Sequence, residues 1–276
     1  MISQFVSPIS NKIYMDFDTK LRYKKDQIYG EGAEITETLL ETEKKGLKGH
    51  VYMELLVHIY QSIDFLHNLE IPEEQILEKQ IEVKFKKPNM TKMLLLDLDE
   101  TLVHCVKRPN PLRPPTVKLD ITTPSGAVVK DVGFNIRPKC NELLVSANRH
   151  YEVCVFTAST PQYADSIIDY LDPTGTLIQH RFYRTHCIKT QGGEYIKDLR
   201  VFKNIDLKNI LLIDNAFYSF GAQLQNGIPI ASFKEDPEDL EFEYLIPYLE
   251  ECASYDDVRD CNRTKFPLQE LFDTPF

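Results

Sequence analysis

The chain has no CxxC pair and no apolar run approaching the ~18 residues that a membrane helix requires. It also lacks a basic leader followed by an apolar stretch at Met1-Ile2-Ser3-Gln4-Phe5. Its six cysteines, at 105, 140, 154, 187, 252 and 261, show no regular spacing. Neither a zinc site nor a disulfide scaffold is expected, and reduced thiols in an intracellular protein are. With no targeting segment to read, the expected location is the nucleus or cytoplasm, with no membrane partner. The cationic excess that nucleic-acid binding uses is also missing. The net charge is −10, so no direct nucleic-acid partner is expected. No internal repeat or low-complexity tract is present.

Its 276 residues, 42% of them hydrophobic, are enough to bury a sizeable core without covalent help. The charge is unevenly spread. Residues 101–203 hold 14 Lys+Arg against 9 Asp+Glu, or +5, so the rest of the chain carries −15. A locally basic middle suits an anionic substrate, although a mixed solvated surface gives the same count.

Along the chain, residues 1–32 have no period and read as irregular. From Gly46 to Asn68 the apolar positions Leu47, Val51, Leu55, Ile59 and Ile63 recur every four residues. That spacing predicts an amphipathic helix with one face to bury, against the core or against a partner protein. Ile71-Pro72-Glu73-Glu74 predicts a second helix start, with proline and acids in the first turn. The boundaries read from this pattern are an N-terminal extension over 1–90, irregular then helical, a main domain over 91–260 and a tail over 261–276.

Within the main domain, Met93–Leu96, Val153–Phe156 and Ile210–Ile213 are short continuous apolar runs. Runs without alternation predict strands buried on both faces, hence a parallel sheet covered by helices. Helices are predicted over Pro138–Arg149, Pro161–Leu171 and Glu238–Cys252. Val117–Thr122 and Ala127–Ile136 flank Thr123-Pro124-Ser125-Gly126 and predict a β-hairpin inserted after the first core strand. The fold class is therefore α/β.

Each apolar run ends in polar residues: Asp97-Leu98-Asp99-Glu100-Thr101, then Thr157-Ala158-Ser159, then Asp214-Asn215. In open α/β sheets the reactive groups gather beyond the carboxyl ends of the strands. Asp97 and Asp99, two apart, face the same way in an extended segment, so one carboxylate can attack while the other handles the proton. An oxygen-only set with Asp97 and Asp214 or Asn215 favours Mg2+ over zinc. Thr157 can donate to a phosphoryl oxygen, and Lys197 in Tyr195-Ile196-Lys197-Asp198-Leu199 can balance its charge. Taken singly, each has a plainer reading: an acidic loop, a helix cap, a surface lysine, a turn. Their order along the chain carries the functional one.

Asp97-Leu98-Asp99-Glu100-Thr101-Leu102-Val103-His104 resembles the signature of the RNA polymerase II C-terminal-domain phosphatases. That branch of the haloacid dehalogenase superfamily includes the small C-terminal-domain phosphatases. Arg137-Pro138, Phe156-Thr157-Ala158-Ser159, Tyr163-Ala164-Asp165, Tyr195-Ile196-Lys197-Asp198-Leu199 and Asp214-Asn215 follow in the family's order, over roughly residues 92–260.

The resemblance implies a Rossmann-like haloacid dehalogenase fold and a Mg2+-dependent protein serine/threonine phosphatase acting on phosphorylated protein segments. It implies an aspartyl-phosphate mechanism with Asp97 as nucleophile and Asp99 as general acid, then base. Thr157 and Lys197 would hold the phosphoryl group. Asp97, the carbonyl of Asp99, Asn215 and, directly or through water, Asp214 would hold the metal, and Arg184 would contact substrate. Lys139 and Ala216 stand where the family often has glycine and serine, and the stretch from Cys187 to Lys197 is one residue longer. The competing expectation is a catalytically weak or silent scaffold that binds phosphoproteins through the same fold.

Overall fold

The computed structural model describes residues 49–108, 111 and 113–273. The irregular stretch expected over 1–32, and the first residues of the helix expected from Gly46, lie outside them.

Five strands form the central sheet: β1 (Met93–Leu96), β5 (Glu152–Phe156), β6 (His180–Phe182), β9 (Ile210–Asp214) and β10 (Gly227–Pro229). Their order is β10-β9-β1-β5-β6, and every pairing is parallel. Every residue of β1, β5 and β9 is buried. That burial explains why their sequences run apolar without alternation. Helices α3 (Cys140–His150), α4 (Pro161–Leu171) and α5 (Glu241–Ala253) fall within three residues of the predicted starts.

β1 is the switch point. The chain leaves it for β5 on one side and returns to β9 on the other. In register, Leu96 lies opposite both Val155 and Ile213. One residue further on, Asp97 comes level with Phe156 and Asp214, and its N–H still donates to the Ile213 carbonyl at 2.9 Å.

The predicted hairpin is β3 (Val117–Thr122) and β4 (Val128–Ile136), turning through Gly126 at φ 84°. A third strand that the sequence pattern does not announce, β2 (Val103–Cys105), pairs with β4. Smaller strands β7 (Ile188–Lys189) and β8 (Tyr195–Ile196) form a second hairpin, with Gly193 at φ 101° in its turn.

The flanking segments share the core. Helix α1 (Gly49–His67) buries Leu55, Ile59, Ile63 and Leu66, and α2 (Glu73–Glu78) buries Ile76. Ile81 then bridges to Phe202, its N–H donating to the Val201 carbonyl at 2.7 Å. Leu55, Ile59, Ile63 and Leu66 of α1 are thus packed against this chain. The expected tail over 261–276 needs correction. Helices α6 (Val258–Lys265) and α7 (Leu268–Asp273) occupy it through Asp273, with Leu268 and Leu271 buried, because those apolar positions complete the same core. Among the described residues no helix is long and apolar enough to cross a membrane, and all six cysteines are unpaired thiols.

Arg137 ties the hairpin to the rest. Fully buried, it donates to both carboxylate oxygens of Asp239 (2.9 and 2.8 Å) and to the Thr101 carbonyl (3.2 Å), between the rings of Phe233 and Phe242. A buried guanidinium persists only with its donors so matched. Two residues on, Lys139 has φ 60° at the start of α3, a left-handed conformation that costs a non-glycine residue roughly 1 kcal/mol. A glycine at this position would relieve that cost. Lys139→Gly is expected to raise the melting temperature by about 2–4 °C, read by calorimetry. The exposed Lys139–Glu243 pair at 3.5 Å that it removes contributes little.

Candidate active site

Three polypeptide segments converge at the carboxyl edge of β1. Lys197, buried just beyond β8, extends its ammonium between two carboxylates. Nζ donates to Asp97 Oδ1 at 2.5 Å and to Asp214 Oδ2 at 2.6 Å, with the Phe156 ring 5.8 Å away. All three side chains are nearly inaccessible, Asp97 being the most open at 6%. Two negative charges and one positive charge in a dry site leave an excess. Burial, and then the Asp214 charge, push the Asp97 carboxyl up to about 7, although Lys197 opposes them. For Lys197 burial works downward, but Asp214 and Asp97 outweigh it and its pKa is raised. The lysine stays charged.

Asp99 lies apart from this ion cluster. Both of its oxygens accept hydroxyl protons, Oδ2 from Ser159 at 2.7 Å and Oδ1 from Tyr163 at 2.5 Å. Ser159 follows β5 and Tyr163 lies in the first turn of α4, so the helix start fixes the carboxylate's direction. Burial, and then the Asp99 charge, push the Tyr163 phenol well above its ordinary value, which keeps it a donor. Thr157 is buried. Its Oγ1 accepts the Ser159 N–H at 3.0 Å, leaving the hydroxyl proton to point elsewhere. Arg184 is exposed at the rim, its Nε donating to the Ala158 carbonyl at 2.6 Å and its guanidinium over the Tyr195 ring. The expected residues Asp97, Asp99, Thr157, Lys197, Asp214 and Asn215 are therefore brought to one edge, with Arg184 beside them.

The donor set can be tested against Mg2+. Asp97 has one oxygen not engaged by Lys197. The turn after it is closed by Glu100 N–H to the Val103 carbonyl (2.6 Å) and Val103 N–H to the Leu98 carbonyl (3.1 Å), which passes over the Asp99 carbonyl. Asn215 Oδ1 accepts from Thr101 Oγ1 at 3.1 Å while its Nδ2 donates to Ser232 Oγ at 3.0 Å. The amide is thereby oriented with oxygen toward the motif loop. These three oxygens fit a hard cation. Asp214 fits less well than expected. Oδ1 accepts the Ala216 N–H (2.7 Å), and Oδ2 accepts Ser219 Oγ (2.5 Å) as well as Lys197. Its geometry is that of the lysine's counter-ion. Among the described residues no three His, Cys, Asp or Glu side chains gather as a metal cluster, in keeping with a mixed carboxylate, carbonyl and amide set. Ala216 contributes through its amide, which any residue supplies.

Sequence reasoning did not single out Ser159, Tyr163, Ser219 and Thr101 as site residues. Ser159 had a local signal, lying two positions beyond Thr157 just past β5, and Tyr163 lies four residues beyond Ser159. Ser219 had none, because its contact depends on how the chain folds back after β9.

Residues 92–259 match the model of the NLI interacting factor-like phosphatase family. The Dictyostelium discoideum protein named CTD small phosphatase-like protein 2 is 40% identical over 178 residues, which cover 64% of this chain and 30% of that one. The Caenorhabditis elegans protein named CTD small phosphatase-like protein 3 is 35% identical over 215 residues, covering 76% and 72%. A second Dictyostelium discoideum protein, named Probable C-terminal domain small phosphatase, is 38% identical over 170 residues, covering 61% and 53%. The chain thus spans under a third of the first relative, nearly three quarters of the second and about half of the third.

The excess charge gives the ion cluster a pH signature. An Asp97 held near 7 in the fold loses its proton at about 4 when unfolded. Stability is therefore drained as pH rises from about 4, with the full cost present above 7. In chelator, Asp97→Asn is expected to melt about 2–4 °C above wild type at pH 8, with the gap closing toward pH 4. Lys197→Met, which strands both carboxylates, is expected to cost about 3–5 kcal/mol at pH 8 and less at pH 5, measured by denaturant unfolding.

Proposed function

The chain belongs to the NLI interacting factor-like phosphatase family, and from that premise we propose that it removes phosphate from phosphoserine or phosphothreonine in flexible protein segments, with Asp97 as nucleophile. The supporting observation is the Asp97–Lys197–Asp214 ion cluster beside an Asp99 held by two hydroxyls. Lys197 donates to Asp97 Oδ1, and one oxygen of this carboxylate attacks phosphorus while the other is available to the metal. As the new P–O bond forms, the bond to the serine or threonine oxygen breaks, and Asp99 delivers a proton to that leaving oxygen. Asp99 then takes a proton from water, the water oxygen bonds to phosphorus, and the aspartyl-phosphate bond breaks to restore Asp97.

Lys197 and the Thr157 hydroxyl would counter the charge on the transferring group. Mg2+, held by Asp97, the Asp99 carbonyl and Asn215, would supply Lewis-acid stabilisation of a phosphoryl oxygen. Ser159 and Tyr163 keep the Asp99 carboxylate aimed while it changes protonation state. The relatives are named CTD phosphatases, and a phosphorylated segment such as the RNA polymerase II C-terminal domain is the substrate class we propose, with Arg184 at the rim to meet it. Among the described residues the insert between β1 and β5 is a small sheet rather than a large lid, which suits an extended peptide more than an enclosed metabolite.

Wild type with Mg2+ is expected to hydrolyse an aryl phosphate, to lose that activity in chelator and to regain it on Mg2+ addition. Asp99→Asn is expected to lower kcat by about 10²–10⁴-fold, and Asp97→Asn to remove turnover. A wild-type protein inert toward aryl phosphates and phosphopeptides across pH and divalent metals would overturn the assignment.

A further inference from the structure

Helix α1 lies outside the stretch 92–259 that matches the family, yet it is docked on the loop that organises the ion cluster. Residues 217–226, a run of tight helical turns, follow directly after Asp214-Asn215-Ala216. Ser219 in that run serves both ends of the cluster. Its hydroxyl donates to Asp214 Oδ2, and its carbonyl accepts the backbone N–H of Lys197 at 2.6 Å. The position of Ser219 therefore sets the position of the lysine and of its counter-ion.

The first N–H groups of any helical segment lack partners within the segment, and here one partner comes from α1. His58 Nε2 accepts the N–H of Phe217 at 3.1 Å. This requires a neutral ring nitrogen, and burial favours the neutral form of His58. Two further contacts hold the same loop. The Tyr218 ring is met edge-on by His58 (5.9 Å between centroids) and by Phe65 (6.0 Å). Leu66 seats on Gly221 so closely that a β-carbon there would lie 2.0 Å from Leu66 Cδ2. A side chain at 221 would force Leu66 to move.

We propose that α1 is an intramolecular brace for the active site and that His58 is a positioning residue, acting through Phe217 and Ser219 on Lys197 and Asp214. Only the catalytic readout of this proposal rests on the phosphatase assignment; the structural readout does not. The test compares full-length wild type with His58→Leu, which removes the acceptor, and His58→Gln, which offers a carbonyl oxygen in its place. Hydrogen exchange by mass spectrometry is followed in peptides spanning 194–200 and 214–222, alongside kcat and KM for an aryl phosphate at saturating Mg2+.

His58→Leu is expected to speed exchange in both peptides by about tenfold, the equivalent of one lost hydrogen bond. It should also lower kcat several-fold with KM unchanged, and His58→Gln should recover most of both. Should His58→Leu fail to fold, Leu66→Val, which loosens the Gly221 contact alone, is expected to give the same exchange pattern at smaller amplitude. Wild-type exchange at 194–200 in the folded variants overturns the brace, and so does equal loss in His58→Leu and His58→Gln. Faster exchange in a protein whose wild type has no phosphatase activity supports the brace and removes the assignment of function.

Discussion

Two buried carboxylates held by one ammonium govern the architecture around this site. Asp97 and Asp214 are buried in a dry place with Lys197 between them, and the two carboxylates keep Lys197 charged despite its burial. Much of the surrounding chain consists of donors that make the arrangement tolerable. Ser219 and the Ala216 amide saturate Asp214, and Ser219 also fixes the backbone of Lys197. What they leave uncompensated is Asp97, whose proton affinity is correspondingly high. In the proposed reaction, a carboxylate short of countercharge suits a site that receives a cation and an anionic substrate.

The parts legible in the sequence were those decided by burial and by strand direction. Met93–Leu96, Val153–Phe156 and Ile210–Ile213 announced a parallel sheet because a doubly covered strand has no polar face. Parallel pairing then forced their polar ends to one edge, so Asp97, Thr157 and Asp214 could be placed together across more than a hundred positions. Proline marked the starts of α2 and α4, with acids in the first turn of α2. Periodicity showed that α1 has an apolar face, and only the coordinates show what covers it.

Other features were illegible for physical reasons. Three-residue strands such as β2 carry too few positions for a pattern. The Arg137–Asp239 clasp joins residues 102 apart, and each alone reads as a surface charge. Lys197 was placed by resemblance and charge balance, not by any local signal. Helices α6 and α7 were not announced because polar α6 hides its buried side, while Leu268 and Leu271 are too few to declare a helix. Resemblance also gave Lys139 as a departure, and only its left-handed backbone explains what glycine would relieve there.

The register of β1 between two neighbours has a consequence for how relatives of this protein can diverge. Inserting or deleting one residue within Met93–Leu96 would turn Asp97 onto the opposite face of the sheet and break its alignment with Asp214. The crossovers beyond that strand face no such restriction: the β3–β4 hairpin and the β7–β8 turn can lengthen outward without moving any sheet residue. Change in this lineage is thus channelled. The carboxyl end of the sheet is rigidly indexed, and its loops are free to vary in length.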